Sequence, residues 1–368
     1  MIDTSIAQLT LADVSPSAAA ALGVPGFEDR LGVGQARQVV LCLMDGLGWQ
    51  ALQAHADRAP TLAALSGSPI DAAFPTTTPV GLGSLGTGLP PGVHGLVGGA
   101  FEIPETGEVL SPLQWGSRPT PVSVQPEPTV FERVARAGVV MSTVAAGAYR
   151  ESGLTRAVLR GGEYCPAEDL RTRVDIVRAI LVRQQRSFTY VYWPDLDRVG
   201  HEWGVGSGPW LHALERVDRL AAGLVESLVP GAVLIVTADH GMVDCPPEEA
   251  VRIEEDPRLM SGVRRVAGEP RARHVYTKPG AAEDVAQAWS EVLGDRATVL
   301  ARHRVVAEGL LGEVDPALAD RVGDVMAIAR GTTLLASTVD PRVSSLLGQH
   351  GALSGDEVLI PALRHRVD

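Results

Sequence analysis

The chain has 368 residues and a mass of 38.7 kDa, enough to bury a large core and more than one uninterrupted domain usually holds, so a main domain carrying an insertion is expected. Its 32 basic against 44 acidic residues give a formal charge of −12, which disfavours non-specific binding to nucleic acid or to an anionic membrane surface. An anionic substrate would need local positive charge, and bound divalent cations can supply it.

The N-terminal residues Met1, Ile2, Asp3, Thr4, Ser5 and Ile6 lack the basic start and apolar core of a secretory leader, and no apolar run approaches the length of a membrane span. A cytoplasmic protein is expected. Cys42, Cys165 and Cys245 are odd in number and far apart, which suits neither a disulfide framework nor a thiolate metal site. Cys42 reads as a small core residue.

Residues 1–36, rich in Ala, Gly and Leu, are expected to wrap the main domain. Residues 38–44 form a nearly continuous apolar run of the kind that fills a buried parallel strand, and Asp45-Gly46-Leu47-Gly48 ends it. In open α/β sheets functional groups gather beyond the carboxyl ends of strands, so Asp45 has the address of a ligand, although a turn Asp or helix cap is the plainer reading of that residue alone.

The stretch Ala72-Ala73-Phe74-Pro75-Thr76-Thr77-Thr78-Pro79 offers a hydroxyl nucleophile, Thr78. A threonine hydroxyl needs a neighbouring base or a metal to lower its pKa, and no local base is in sight. A Gly-rich helix start follows at 80–88. Its glycines at 81, 83 and 86 spell G-x-G-x-x-G, but a dinucleotide fingerprint should follow a buried strand directly, and two prolines and three threonines intervene. These glycines are expected to let the nucleophile's helix approach the sheet closely.

Residues 111–128 are Pro-rich and irregular, a surface excursion or lid rim. A helix over 130–137, a strand over 139–146, a helix over 167–185 and a strand over 187–193 then alternate, which argues for parallel strands joined by helices. Beyond the last strand stand Asp197 and His201, four apart, so that one helical turn or a tight loop lets a carboxylate and an imidazole face one ion. A solvated acidic loop is the alternative, and Asp195 is the less suited partner for His201.

An amphipathic helix over 210–228 leads to the apolar strand 232–238, which ends in Asp239-His240-Gly241. Two adjacent metal-capable side chains before a turn glycine are hard to explain as packing. Residues 245–338 change character, with many Arg and Glu, short strands around 274–277 and 325–329 and a helix over 282–293. They read as an inserted α+β lobe, expected to form a wall of the substrate pocket. His350, with Gly348 and Gly351 close on either side, is a loop ligand or, read alone, a surface histidine.

In this order the residues resemble the alkaline phosphatase superfamily, most closely its nucleotide pyrophosphatase/phosphodiesterase branch, over about residues 39–359. The resemblance implies an α/β fold with a mostly parallel central sheet and helices on both faces: a main domain over 1–244, the lobe over 245–338, and a return to the main domain over 339–368. It implies that Asp45, Asp239 and His240 hold one ion on which Thr78 also rests, and that Asp197, His201 and His350 hold a second. The Pro-Thr-x-Thr segment of the family matches Pro75-Thr76-Thr77-Thr78. Two divalent ions are implied, with zinc suiting the mixed carboxylate and imidazole ligands and Mn, Fe or Co left open. One departure is noted: the branch's Pro-Asn pair after the nucleophile is replaced by Val80 and Gly81.

The implied activity is hydrolysis of a small phosphodiester or nucleotide-type substrate through a phosphothreonine. A sulfatase is excluded because Thr78-Pro79-Val80-Gly81-Leu82 lacks its Cys/Ser-x-Pro-x-Arg signature. A phosphomonoesterase fits less well, since no Lys or Arg lies between Asp71 and Glu102. A phosphomutase and a non-catalytic phosphate-ligand binding protein are the remaining alternatives. All seven family positions are present, which weighs against the last.

Overall fold

The computed structural model describes residues 9–367 of the chain. The N-terminal hexapeptide that argued against a leader lies outside the described residues. The core is a seven-stranded sheet of β1 (Gln38–Met44), β2 (Ser66–Asp71), β3 (Val140–Ala145), β4 (Glu163–Pro166), β5 (Ser187–Trp193), β6 (Ala232–Thr237) and β7 (Leu359–Arg366), in the order β2-β7-β6-β1-β5-β3-β4. The five strands from β6 to β4 run parallel, and β7 is antiparallel to both its neighbours. Every residue of β1 and β6 is buried, which is why these strands read as unbroken apolar runs.

Helices cover both faces. The main ones are α1 (Thr78–Thr87), α2 (Leu170–Arg183), α3 (Asp195–Trp203) and α4 (Gly208–Ser227), while α5 (Ala282–Leu293) belongs to the segment 245–338. Phe131, on the helix Val130–Arg136, packs on Phe188 and Tyr190 of β5, whereas Arg173 of α2 stacks over Trp193; even and odd positions of a strand point to opposite faces. No helix among the described residues is long and apolar enough to cross a membrane.

Within 245–338 a four-stranded antiparallel sheet forms from Val263–Glu269, Ala272–Thr277, Ala297–Ala301 and Val325–Ala329. Its last strand shows how it is seated. Val325, Ala327 and Ala329 join a separate core with α5 around Val285 and Trp289, while Met326 and Ile328 join the main core. The strand thus has two apolar faces with different partners.

Candidate active site

The carboxyl ends of the three adjacent strands β5, β1 and β6 deliver most of the candidate ligands, as the open α/β architecture favours. Asp45 follows β1 directly, and its N–H donates to the Trp193 carbonyl at 3.0 Å. Gly46, at φ +75°, turns the chain away, and a Cβ there would lie 2.9 Å from Asp197 Cα. Asp197 and His201 lie one turn apart on α3, so the i,i+4 spacing is helical. Asp195, the weaker candidate, is held by Arg216 at 2.7 Å. His350 is returned by a two-residue strand, Gly348–Gln349, that pairs with Val243–Asp244 just beyond the Asp239-His240 turn.

Thr78 is the first residue of α1, buried, with its hydroxyl 3.2 Å from His240 Nε2. A helix N-terminus favours negative charge on that oxygen. His201, His350 and Asp197 form one cluster, in which Asp197 Oδ1 lies 3.4 Å from His201 Nε2 and 3.7 Å from His350 Nε2. A second cluster joins Asp45 and His240, with Asp45 Oδ1 3.5 Å from His240 Nε2. Asp197 lies within reach of that cluster as well. Asp239 stands beside it, its Oδ2 3.8 Å from His240 Nε2 and its Oδ1 accepting from the N–H groups of His240 and Gly46.

The hydrogen-bonding state of these groups calls for cations. Each imidazole directs Nδ1 at a backbone carbonyl: His201 at Gly348, His240 at Gly241 and His350 at Thr76. A carbonyl only accepts, so Nδ1 carries a proton, and with the ring's one proton there the Nε2 lone pair is turned inward, free for a cation. Asp45 Oδ1, Asp197 Oδ1 and Asp239 Oδ2 are buried without any hydrogen-bond partner. Burial and the neighbouring carboxylates of Asp239 and Asp197 hold Asp45 well above the usual carboxylate range. Burial and the rings of His240 and His201 hold His350 well below the usual imidazole range. Three orphaned carboxylate oxygens among three acceptor nitrogens fit divalent ions with mixed N/O preference.

Two contributors went unread in the sequence. The Tyr192 hydroxyl donates to Asp45 Oδ2, leaving Oδ1 free; its place two residues before Pro194, on the face of β5 that ends beside β1, was the available signal. Thr76 donates to the Ala352 carbonyl and accepts from the Gly351 N–H, tying the nucleophile loop to the His350 loop.

The glycines of α1 meet different neighbours. A Cβ at Gly81 would lie 2.7 Å from Asp239 Cβ, the expected close approach to the sheet end, but Gly83 abuts the His94 ring and Gly86 the Val158 carbonyl. The Gly81 position thus has no room for a side chain beside Asp239.

A cavity of about 820 Å³ opens from Asp45 and Thr78, walled by segments 112–113, 143–173 and 190–198 together with Leu82 and Arg216. Pro112 and Leu113 of the irregular excursion reach its rim. No residue of 245–338 lines it, which corrects the expectation for the lobe. The lobe instead braces the last ligand's loop from behind: Arg271 and Glu357 form a fully buried bidentate pair, and Glu357 accepts from the Ala352 N–H.

The model of the type I phosphodiesterase/nucleotide pyrophosphatase family matches residues 39–353. Among curated proteins, a phosphopentomutase of Anaeromyxobacter dehalogenans is 29% identical over 160 residues; the match covers 42% of this chain and 38% of that relative's length. Among solved structures, murine ectonucleotide pyrophosphatase/phosphodiesterase 5 superposes with a TM-score of 0.71 at 19% identity, over 89% of this chain and 88% of the other. Phosphonoacetate hydrolase from Sinorhizobium meliloti 1021, in complex with phosphonoformate, superposes with a TM-score of 0.69 at 19% identity, over 90% and 91%. These likenesses show the fold, an alkaline phosphatase-like α/β sheet. With its family model matched across both candidate clusters and the nucleophile, the chain belongs to the type I phosphodiesterase/nucleotide pyrophosphatase family.

Proposed function

We propose that the protein is a metal-dependent hydrolase of small phosphodiester or nucleotide-type substrates, acting through a phosphothreonine at Thr78. Asp45, Asp239, His240 and Thr78 would hold one divalent ion, zinc in the first instance, and Asp197, His201 and His350 a second. When bound, the ions supply the positive charge that lowers the pKa of a hydroxyl or water and offsets charge developing on the phosphoryl oxygens.

The chain's own residues supply the rest. The Thr78 hydroxyl, fixed at the start of α1 and 3.2 Å from His240 Nε2, loses its proton to solvent and attacks phosphorus. The bond to the leaving oxygen breaks opposite, and the phosphoryl group stays on Thr78. Water then displaces Thr78 from phosphorus, restoring the hydroxyl. The Nδ1 anchors of His201, His240 and His350 keep the rings in place through both steps.

The observation that carries this reading is the grouping of three unpartnered carboxylate oxygens and three inward Nε2 atoms in adjoining clusters, one of which, through His240, lies 3.2 Å from the Thr78 hydroxyl. Its support from relatives includes a solved complex of an inactive threonine-to-alanine variant of the murine protein with AMP. The test is metal analysis of purified protein together with hydrolysis of bis(p-nitrophenyl) phosphate and p-nitrophenyl phosphate, before and after chelation. Diester turnover should exceed monoester turnover, vanish with the metal and return with zinc. Turnover that survives complete removal of metal would overturn it.

A phosphomutase is the second reading, favoured by the 160-residue similarity to phosphopentomutase. It would pass the phosphoryl group from Thr78 to another hydroxyl of a phosphorylated sugar. Isomerisation of a pentose phosphate without release of free phosphate would select it.

A further inference from the structure

The wall of the cavity holds hydrogen-bond donors that lack acceptors. Arg173 is 1% exposed and lines the cavity with Trp193. Its Nε donates to the Tyr192 carbonyl at 3.2 Å and its Nη1 to the Asp169 carbonyl at 3.3 Å; no acceptor among the described residues takes Nη2, and no carboxylate pairs with the guanidinium. The guanidinium carbon lies 4.5 Å from the centroid of Trp193, whose indole Nε1 is buried and also without a partner.

The nearby acids are committed elsewhere. Asp195 pairs with Arg216, Glu168 accepts from the Gly147 N–H at 2.8 Å, and Asp169 caps α2 through Thr172. Guanidinium and indole can only donate, so the missing partner is an acceptor, and an uncompensated buried cation favours an anionic one. Arginine's planar fork suits a carboxylate or a phosphate. The same cavity is lined by Thr78 and Asp45, and its volume of about 820 Å³ admits a ligand that touches both pairs of residues.

We propose that Arg173 and Trp193 form an anion subsite that holds a carboxylate or phosphoryl group on the organic arm of the substrate, the part retained beyond the reacting phosphate. The inference deepens the phosphodiesterase reading and rests on it for the placement of the reacting end. It makes the preferred substrate a diester with a second acidic group.

The test uses zinc-loaded, full-length Thr78→Ala protein, in which esters bind without turning over. Calorimetry would compare three p-nitrophenyl phosphodiesters whose second arm is phenyl, phenyl bearing a carboxylate, or phenyl bearing a phosphate. The better acidic arm should bind at least ~10-fold tighter than the neutral one, as expected for charge-assisted bonds to arginine. Which acid wins identifies the group. Adding Arg173→Gln should bring the preference to within about twofold.

Because Arg173 also braces two carbonyls, Trp193→Phe, which removes the indole N–H but leaves an aromatic ring beside the guanidinium, is the second variant and should lower the preference about threefold. Equal binding of neutral and acidic arms, or a preference untouched by either variant, overturns the subsite. Hydrolysis of the same esters by unaltered protein is read separately. A binding preference without turnover would defeat the hydrolase and leave the subsite standing.

Discussion

The Nε2 atoms of His201 and His350 face each other across 3.2 Å while both Nδ1 atoms donate to carbonyls. Two lone pairs at that distance repel unless a cation lies against both. Removing metal should therefore cost stability as well as activity. With ions about 1,000-fold above their Kd, scanning calorimetry should show the melting temperature raised by roughly 5–10 °C over chelated protein. His350→Ala should lose one of two metal equivalents by elemental analysis and keep the other.

Thr78→Ala should keep its fold and its metal, since the hydroxyl is one contact among seven candidate ligands. Turnover should fall on the order of 10³-fold or more, as when a nucleophile is removed from an otherwise complete site. Circular dichroism, metal content and steady-state rates check the three parts, and a variant with unchanged turnover would end the assignment of Thr78.

The hydroxyl of Tyr192 fixes which oxygen of Asp45 is left for an ion. Tyr192→Phe keeps the ring and its edge-to-face contact with Tyr149, 5.8 Å between centroids, but frees Oδ2. Metal affinity measured by competition with a chelator should weaken by about 10-fold, the lower end for lost outer partners of metal ligands.

Glu269 gives stability a dependence on pH. It is buried on the lobe against Gly351, with Oε2 accepting from the Gly99 N–H at 2.7 Å and Oε1 unpartnered. Burial raises its carboxyl from 4.5 to about 8. The folded protein thus holds this proton more tightly than the unfolded chain. The contribution is full below pH 4.5, declines as pH rises and is gone above about 8. Glu269→Gln mimics the protonated form, so the gap in stability between variant and parent should open towards pH 9 by a few kcal/mol in urea titrations.

What was legible in the sequence followed from burial. Strands β1 and β6 carry almost no polar residue until their carboxyl ends, so Asp45 and the Asp239-His240 pair stand out where apolar runs stop, whereas β5, with Ser187 and Thr189, is legible from its aromatic and β-branched residues. Strand β2, with the sequence Ser-Gly-Ser-Pro-Ile-Asp, has no such pattern; it lies at the edge of the sheet, half exposed, where backbone pairing with β7 defines it. Helix α3 is legible only as one turn or a loop, because six of its nine residues are polar or glycine. The lobe's role was misjudged because position in the chain does not say which side of a loop an insertion supports. Arg173 was invisible for a related reason: a charged residue on an amphipathic helix is usually solvated, and only the packing of α2 beneath Trp193 buries it.

The insertion of β7 between β2 and β6 sets a time order on synthesis. A nascent chain that has emerged only to residue 358 has no partner strand for β2 and an open flank on β6, two templates for pairing with other chains. The eight-residue strand Leu359–Arg366 closes both at once, and it begins two residues after Glu357, whose bonds to Arg271 and Ala352 set the His350 loop. One short stretch of chain thus closes the sheet and anchors the loop that carries a candidate ligand.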